Sequence, residues 1–249
     1  MRNALITGAS SGIGRALAFQ LAKRGYNLAL LARRSEELVM LKEQIVARHP
    51  DLRVETRVLD VTDYDQVPQT LNELAAALGR LDVVVAGAGV GSYEAIGTGN
   101  AHIDRGIVAT NLLGAMATID AATAIMRAQG RGQIVAISSV AAYRGLAGAA
   151  SYSASKAAIA VYADSLRAEL HGTSISVTTL FPGYIDTPLN AGLKSRPFLV
   201  SLEKGAAQIA NKIERGVKSS TVPTWPWAIL GPLLRVLPTQ IIARMNQRP

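Results

Sequence analysis

The stretch Thr7-Gly8-Ala9-Ser10-Ser11-Gly12-Ile13-Gly14 follows directly on the apolar run Asn3–Thr7 and opens Gly12–Arg24, a segment with apolar residues at helical spacing. Small residues between a strand and a helix let backbone amides approach a diphosphate, and the helix N-terminus adds unpaired N–H groups and a favourable dipole. The spacing is G-x-x-x-G-x-G and not G-x-G-x-x-G, and a tight strand–helix connection also favours glycine. Its position after the first strand is what points to a dinucleotide. Gly8, Ser10, Ser11, Gly12, Ile13 and Gly14 are therefore candidate cofactor contacts.

Outward from this turn the same alternation repeats. Asn27–Ala32, Leu52–Leu59, Leu81–Ala86, Gln133–Ser138 and Ser174–Leu180 are short apolar runs without polar alternation, as expected of strands covered on both faces. Between them Ser35–Arg48, Asp63–Leu78, roughly Asp104–Gln129 and Ser151–His171 show three-to-four periodicity. A helix over about Ser201–Arg215 and a seventh strand near Val217–Val222 complete the pattern. It predicts an α/β chain: one Rossmann-like, doubly wound parallel sheet with helices on both faces. Residues 1–222 form the catalytic domain on this reading, and 223–249 an apolar, basic tail.

The chain has 249 residues, no cysteine, and 26 Lys plus Arg against 18 Asp plus Glu, a formal charge of +8. Without cysteine there are no disulfides, thiolate metal sites or thiol nucleophiles. His49, His102 and His171 are scattered, so no metal site is expected. The N-terminus lacks a signal-peptide core, which leads us to expect a cytoplasmic protein. No stretch reads as a membrane span. The excess charge is local: beyond Glu214 stand Arg215, Lys218, Arg235, Arg244 and Arg248 and no acid. This tail also holds both tryptophans, Trp225 and Trp227, with aromatics only 5% of the chain. A nucleic-acid partner is not expected from so few aromatics. Two short segments, one before Pro238 and one started by Thr239, would cover a partner subunit or the substrate mouth, or rest peripherally on an anionic membrane.

The second strand ends Leu31-Ala32-Arg33-Arg34, where NAD-binding folds of this type carry an acid for the ribose 2′-hydroxyl. Arg33 suits a 2′-phosphate, which favours NADP(H), unless the two arginines are merely solvated. Asp60 and Val61, closing the third strand, would receive the adenine, although an acid there also serves as a helix cap.

Tyr152-Ser153-Ala154-Ser155-Lys156 places a phenol and an ammonium four apart on one helix face, and no other tyrosine has lysine at that spacing. Ser138 and Ser139 end a buried strand, at the carboxyl edge where open α/β sheets bind ligands. A neighbouring Lys⁺ and an oxidised nicotinamide would stabilise the phenolate and move it towards working pH.

With these residues in view, the chain resembles the short-chain dehydrogenase/reductase family to about residue 222. The resemblance rests on Thr7-Gly8-x-x-x-Gly12-x-Gly14, Asp60, Asn111, Ser139, Tyr152-x-x-x-Lys156, and Pro182-Gly183 followed by Thr187. It implies that Ser139 orients a substrate carbonyl and that Tyr152 is the acid–base. It further implies that Lys156 binds nicotinamide ribose and lowers the Tyr152 pKa, while Asn111 holds a relay water. Gly87, Pro182, Gly183, Ile185 and Thr187 would join the cofactor contacts. The implied activity is NADP(H)-dependent interconversion of a secondary alcohol and a carbonyl, and the implied assembly is a homodimer or homotetramer; a catalytically silent NADP(H)-binding sensor or scaffold is the alternative. One departure stands out. The family has Asn-Asn-Ala-Gly where this chain has Ala86-Gly87-Ala88-Gly89, which removes amides that brace the sheet and implies lower local rigidity. Substrate walls are expected from Val90–Ile96, Ala141–Ala147 and the loop from Tyr184 to about Val200, with Leu189, Leu193, Phe198, Leu199, Lys194 and Arg196, implying a moderately apolar ligand.

Overall fold

The computed structural model describes residues 1–193 and 195–245; Lys194 and the last four residues, with Arg248, lie outside the described residues, as do the side chains of Arg244 and Met245. Seven parallel strands, β1 (Arg2–Thr7), β2 (Tyr26–Ala32), β3 (Val54–Val58), β4 (Val83–Ala86), β5 (Gly132–Ile137), β6 (Ile175–Pro182) and β7 (Ser219–Val222), lie in the order β3-β2-β1-β4-β5-β6-β7. The order reverses between β1 and β4, the switch point at which open α/β sheets bind ligands. Helices α1 (Gly12–Ala22), α2 (Ser35–Arg48), α3 (Gln66–Leu78), α4 (Ala101–Val108), α5 (Ala115–Gln129), α6 (Ala150–Glu169) and α7 (Leu202–Glu214) flank it.

Strand residues alternate between two cores, as a pleated strand requires. Ile6, Leu30, Val85 and Val135 face α1, α2 and α7, where Leu17, Leu21, Leu41, Ile45 and Ile209 close one core. Leu5, Leu31, Val84 and Ile134 face α3, α5 and α6, where Leu71, Leu74, Ile119, Ala122 and Ile159 close the other. Burial on both sides is why these strands read as continuous apolar runs.

The long helical stretch starts earlier than its periodicity indicates, at Ala101, and α4 and α5 are joined by a π-helical turn, Ala109–Gly114. Residues 101–129 match a membrane span in length and hydropathy, contrary to the expectation that none would, but half of the apolar window is buried within the protein. Ile119, Ala122 and Met126 are committed to the core beside α3 and β5. It packs as a core helix.

The tail forms α8 (Trp227–Leu233) and α9 (Thr239–Met245). Trp227, Leu234 and Ile242 join Val140, Ala160 and Phe181 in a third apolar cluster, so the tail closes on its own domain beside the carboxyl end of β6. The Tyr143 ring stacks on Phe181 at 5.0 Å. Gly231 fits beneath Tyr143, since a Cβ there would lie 2.7 Å from Cε2.

Candidate active site

The glycine turn hangs from the end of β1. Gly8 and Gly12 adopt left-handed φ of 75° and 50°, conformations that side chains resist. Close approach adds a second constraint: a Cβ on Gly8 would lie 2.7 Å from Ala88 Cα, and one on Gly14 2.3 Å from the Gly8 carbonyl oxygen. Ser11 is extended at the start of α1 and makes no side-chain cap, which leaves the first-turn amides open for an anion. Thr7 Oγ1 accepts from the amides of Gly87 (3.1 Å) and Ala88 (3.3 Å) and donates to the Val85 carbonyl at 3.3 Å. The bracing expected to be missing around Ala86–Gly89 is thus supplied from β1.

At the end of β2, Arg33 and Arg34 both line the cleft, and they differ in partners. Arg33 faces Asp60 at 3.6 Å in an exposed ion pair. Arg34, passed over in the sequence, reaches the phosphate turn: its Nε and terminal nitrogen donate to Ser10 Oγ at 3.3 and 3.0 Å. Its signal was the adjacent basic pair, but only the fold shows which guanidinium meets the glycine turn. Asp60 Oδ1 accepts from the Thr62 amide (3.0 Å) and hydroxyl (2.8 Å). Burial pushes the Asp60 carboxyl up, yet these bonds and Arg33 outweigh it and hold the acid below its ordinary range. Asp60 therefore orders its own loop as well as bordering the cleft, where Val61 lies beside it.

Ser139, Tyr152 and Lys156 converge on the same cleft. Ser139 Oγ accepts from the Ala141 amide at 3.1 Å and donates to the Pro182 carbonyl at 3.4 Å. Ser138 points elsewhere, donating to the Lys156 carbonyl at 2.7 Å, while Lys156 Nζ donates back to the Ile137 carbonyl at 2.9 Å. This reciprocal pair clasps β5 to α6. Burial lowers the Lys156 pKa from 10.5 to about 8. Burial also pushes the Tyr152 phenol up, only partly offset by its hydrogen bond to Ser139, and Tyr184 adds to the rise. The lowering expected at this phenol invokes an oxidised nicotinamide as well as Lys156. Lys156 Nζ lies 5.8 Å from the Tyr152 ring centroid.

Asn111 sits in the π-helical turn, whose extra residue turns its side chain towards the β4 loop. Oδ1 accepts from the Val90 amide and Nδ2 donates to the Val90 carbonyl, both at 2.8 Å, and Nδ2 also reaches Ser155 Oγ at 3.4 Å. Both amide protons are used. The side chain positions the loop that follows β4. Oδ1 and Lys156 Nζ flank Gly89, at 3.4 and 3.5 Å from where its Cβ would be.

The cleft has a volume of about 630 Å³ and also takes in Gly87, Pro182, Gly183, Ile185 and Thr187. Thr187 borders the phosphate turn, with its Cγ2 3.7 Å from a Cβ built on Gly12. Around Tyr152 the wall is formed by Gly91, Tyr93, Leu146, Tyr184 and Leu189. Phe198 and Leu199, expected here, line a different groove against α7 and the tail. Trp227, in the apolar tail, packs its indole directly on Gly183, a contact between residues too distant in sequence to show in either segment.

These features fit a nicotinamide dinucleotide. The glycine cradle admits backbone but no side chains, and Lys156 uses one of its three N–H donors on Ile137, leaving two for ribose hydroxyls. A doubly wound sheet with a phosphate turn and a buried phenol–serine–lysine set at its switch point defines an α/β protein of the dinucleotide-binding class. Residues 2–197 match the family model described as short chain dehydrogenase. An uncharacterised oxidoreductase of Mycobacterium tuberculosis is 39% identical over 241 residues, covering 96% of this chain and 95% of the relative. The alcohol dehydrogenase of the archaeon Thermococcus sibiricus, solved with 5-hydroxy-NADP, superposes with a TM-score of 0.80 at 26% identity, covering 89% of this chain and 95% of that one. A short-chain dehydrogenase of Mycobacterium paratuberculosis bound to NAD gives 0.78 at 26% identity, covering 89% and 96%. The chain belongs to the short-chain dehydrogenase family and is an oxidoreductase.

Proposed function

We propose that the protein reduces a neutral, apolar ketone or aldehyde to the alcohol with NADPH, and catalyses the reverse reaction at higher pH. The observation that carries this reading is the convergence of Ser139, Tyr152 and the buried Lys156 on the cleft that begins at the glycine turn. The bound nicotinamide supplies the hydride. The chain supplies everything else. The Ser139 and Tyr152 hydroxyls are the two donors a carbonyl oxygen would meet, and the neutral phenol yields its proton as alkoxide character develops. Oxidation needs the phenolate, hence the higher pH. Lys156 and Asn111 hold the ribose side and the Val90 loop in place.

Preference for NADP(H) is supported by Arg34 on Ser10 and by Arg33 beside it, two guanidinium groups where a 2′-hydroxyl reader would carry an acid. The substrate class follows from the wall around Tyr152. Gly91, Leu146, Tyr184 and Leu189 carry no charge, and the charged side chains among the described residues of the cleft are Arg33, Arg34, Asp60 and Lys156. We further propose a homo-oligomer paired through α5 and α6, supported by the exposed Val161 and by Leu113 just before α5.

The test is a steady-state assay with NADPH and NADH against uncharged cyclic and aromatic ketones and their carboxylated analogues. Turnover of the uncharged set, lost by roughly 10²–10⁴ in Tyr152→Phe with NADPH still bound, is expected. Full turnover by Tyr152→Phe would sink the assignment.

A further inference from the structure

A second concavity, a groove of about 900 Å³, runs between α7 and the tail, apart from the cleft. One side is apolar, with Phe198, Trp225 and Ile229; the other carries Lys204, Lys212 and Arg215, and among the described residues no carboxylate lines it. Among the described residues none of these three cations forms an ion pair. The Lys212 ammonium donates only to hydroxyls, Ser220 Oγ at 2.7 Å and Thr224 Oγ1 at 2.8 Å. Three cations without a counter-charge call for an anion, and the opposite wall calls for something apolar on the same partner.

The apolar side projects outward. Trp225 is 73% exposed, Ile229 59% and Leu233 44%. Ile229 and Leu233 are four apart on α8 and so share a face. The other side of the same segment is spoken for, with Trp227 and Leu234 in the third apolar cluster. The outward row is therefore surplus to folding.

We propose that this face docks on an anionic phospholipid bilayer. Trp225, Ile229 and Leu233 enter the boundary between headgroups and acyl chains, and Lys204, Lys212 and Arg215 hold lipid phosphates. Charge complementarity selects this occupant. A second copy of the chain would meet this face through a two-fold axis, apposing the cations with themselves. A bilayer offers the anion and the apolar layer together, at the depth where tryptophan is favoured.

Vesicle sedimentation of the full chain tests this, using phosphatidylcholine alone and phosphatidylcholine with phosphatidylglycerol. Binding to the anionic vesicles only, released by high salt, is expected. The Lys204→Gln/Arg215→Gln variant should partition about 25-fold more weakly, at roughly fivefold per surface cation. Both tryptophans report, and because Trp227 is buried, a blue shift on binding that disappears in Trp225→Phe places Trp225 in the lipid. NADPH binding by each variant serves as the folding control. Failure to sediment with anionic vesicles, or equal sedimentation with neutral ones, overturns the proposal. So does a Trp225→Ser/Ile229→Ser variant whose light-scattering mass halves in lipid-free buffer, which would assign the face to a second copy.

Discussion

The indole nitrogen of Trp227 occupies the space beside Gly183 where any other residue would carry its Cβ, 2.3 Å from that position. The tail is thereby keyed to the loop that follows β6, within the cofactor cleft. Gly183→Ala should expel the indole and cost about 1–3 kcal/mol. Urea denaturation reads that loss, and a raised KM for the ketone with little change in kcat is expected as the tail lifts from Tyr184. Stability equal to wild type would show that the tail is free to move aside.

Arg34 bonds the phosphate turn and Arg33 stands beside it, so removing both should single out the 2′-phosphate. For Arg33→Leu/Arg34→Leu we expect the NADPH KM to rise about 10- to 100-fold, the worth of one strong charged hydrogen bond. The NADH KM should stay within about twofold. Equal losses for both cofactors would assign the two arginines to the turn and not to the phosphate.

The buried Lys156 gives stability a pH signature. Its folded pKa, about 8, lies below the ordinary 10.5. Between these values the unfolded chain binds more protons, so stability rises with pH across this window and the contribution is lost as pH falls through 8. Relative to Lys156→Met, wild type should gain on the order of 3 kcal/mol between pH 7.5 and 10.5. Denaturant midpoints at the two pH values measure it. A constant difference would mean the ammonium is better solvated than its surroundings indicate.

Asn111 satisfies both polar groups of Val90. Asn111→Ala leaves them unpaired and should cost about 1–3 kcal/mol. If its role is positioning, kcat should fall without a change in the shape of the pH–rate profile. A displaced profile would restore the proton-relay role.

The sheet was legible because each strand is buried on both faces, which forces a continuous apolar run, and each helix keeps its own period. The glycine turn was legible because backbone contact with phosphate excludes side chains at fixed spacings. What could not be read depends on groups distant in sequence. Nothing local chooses Arg34 over Arg33 for Ser10, and nothing in Tyr152-x-x-x-Lys156 reveals how deeply the phenol is buried or that burial pushes its pKa up. The π-helical turn at Asn111 escapes a 3.6-residue template because its extra residue shifts the period. The tail misled in one respect only: its apolar residues divide between Trp227, seated on Gly183, and Trp225, facing outward, and composition does not separate the two.

The clasp between Ser138 and Lys156 has a dynamic consequence. With the Ser138 hydroxyl on the Lys156 carbonyl and the Lys156 ammonium on the Ile137 carbonyl, the end of β5 and the first turns of α6 are tied to each other from both sides. A shift of one backbone is passed to the other, so the strand end that precedes Ser139 and the helix turn that carries Tyr152 keep their spacing.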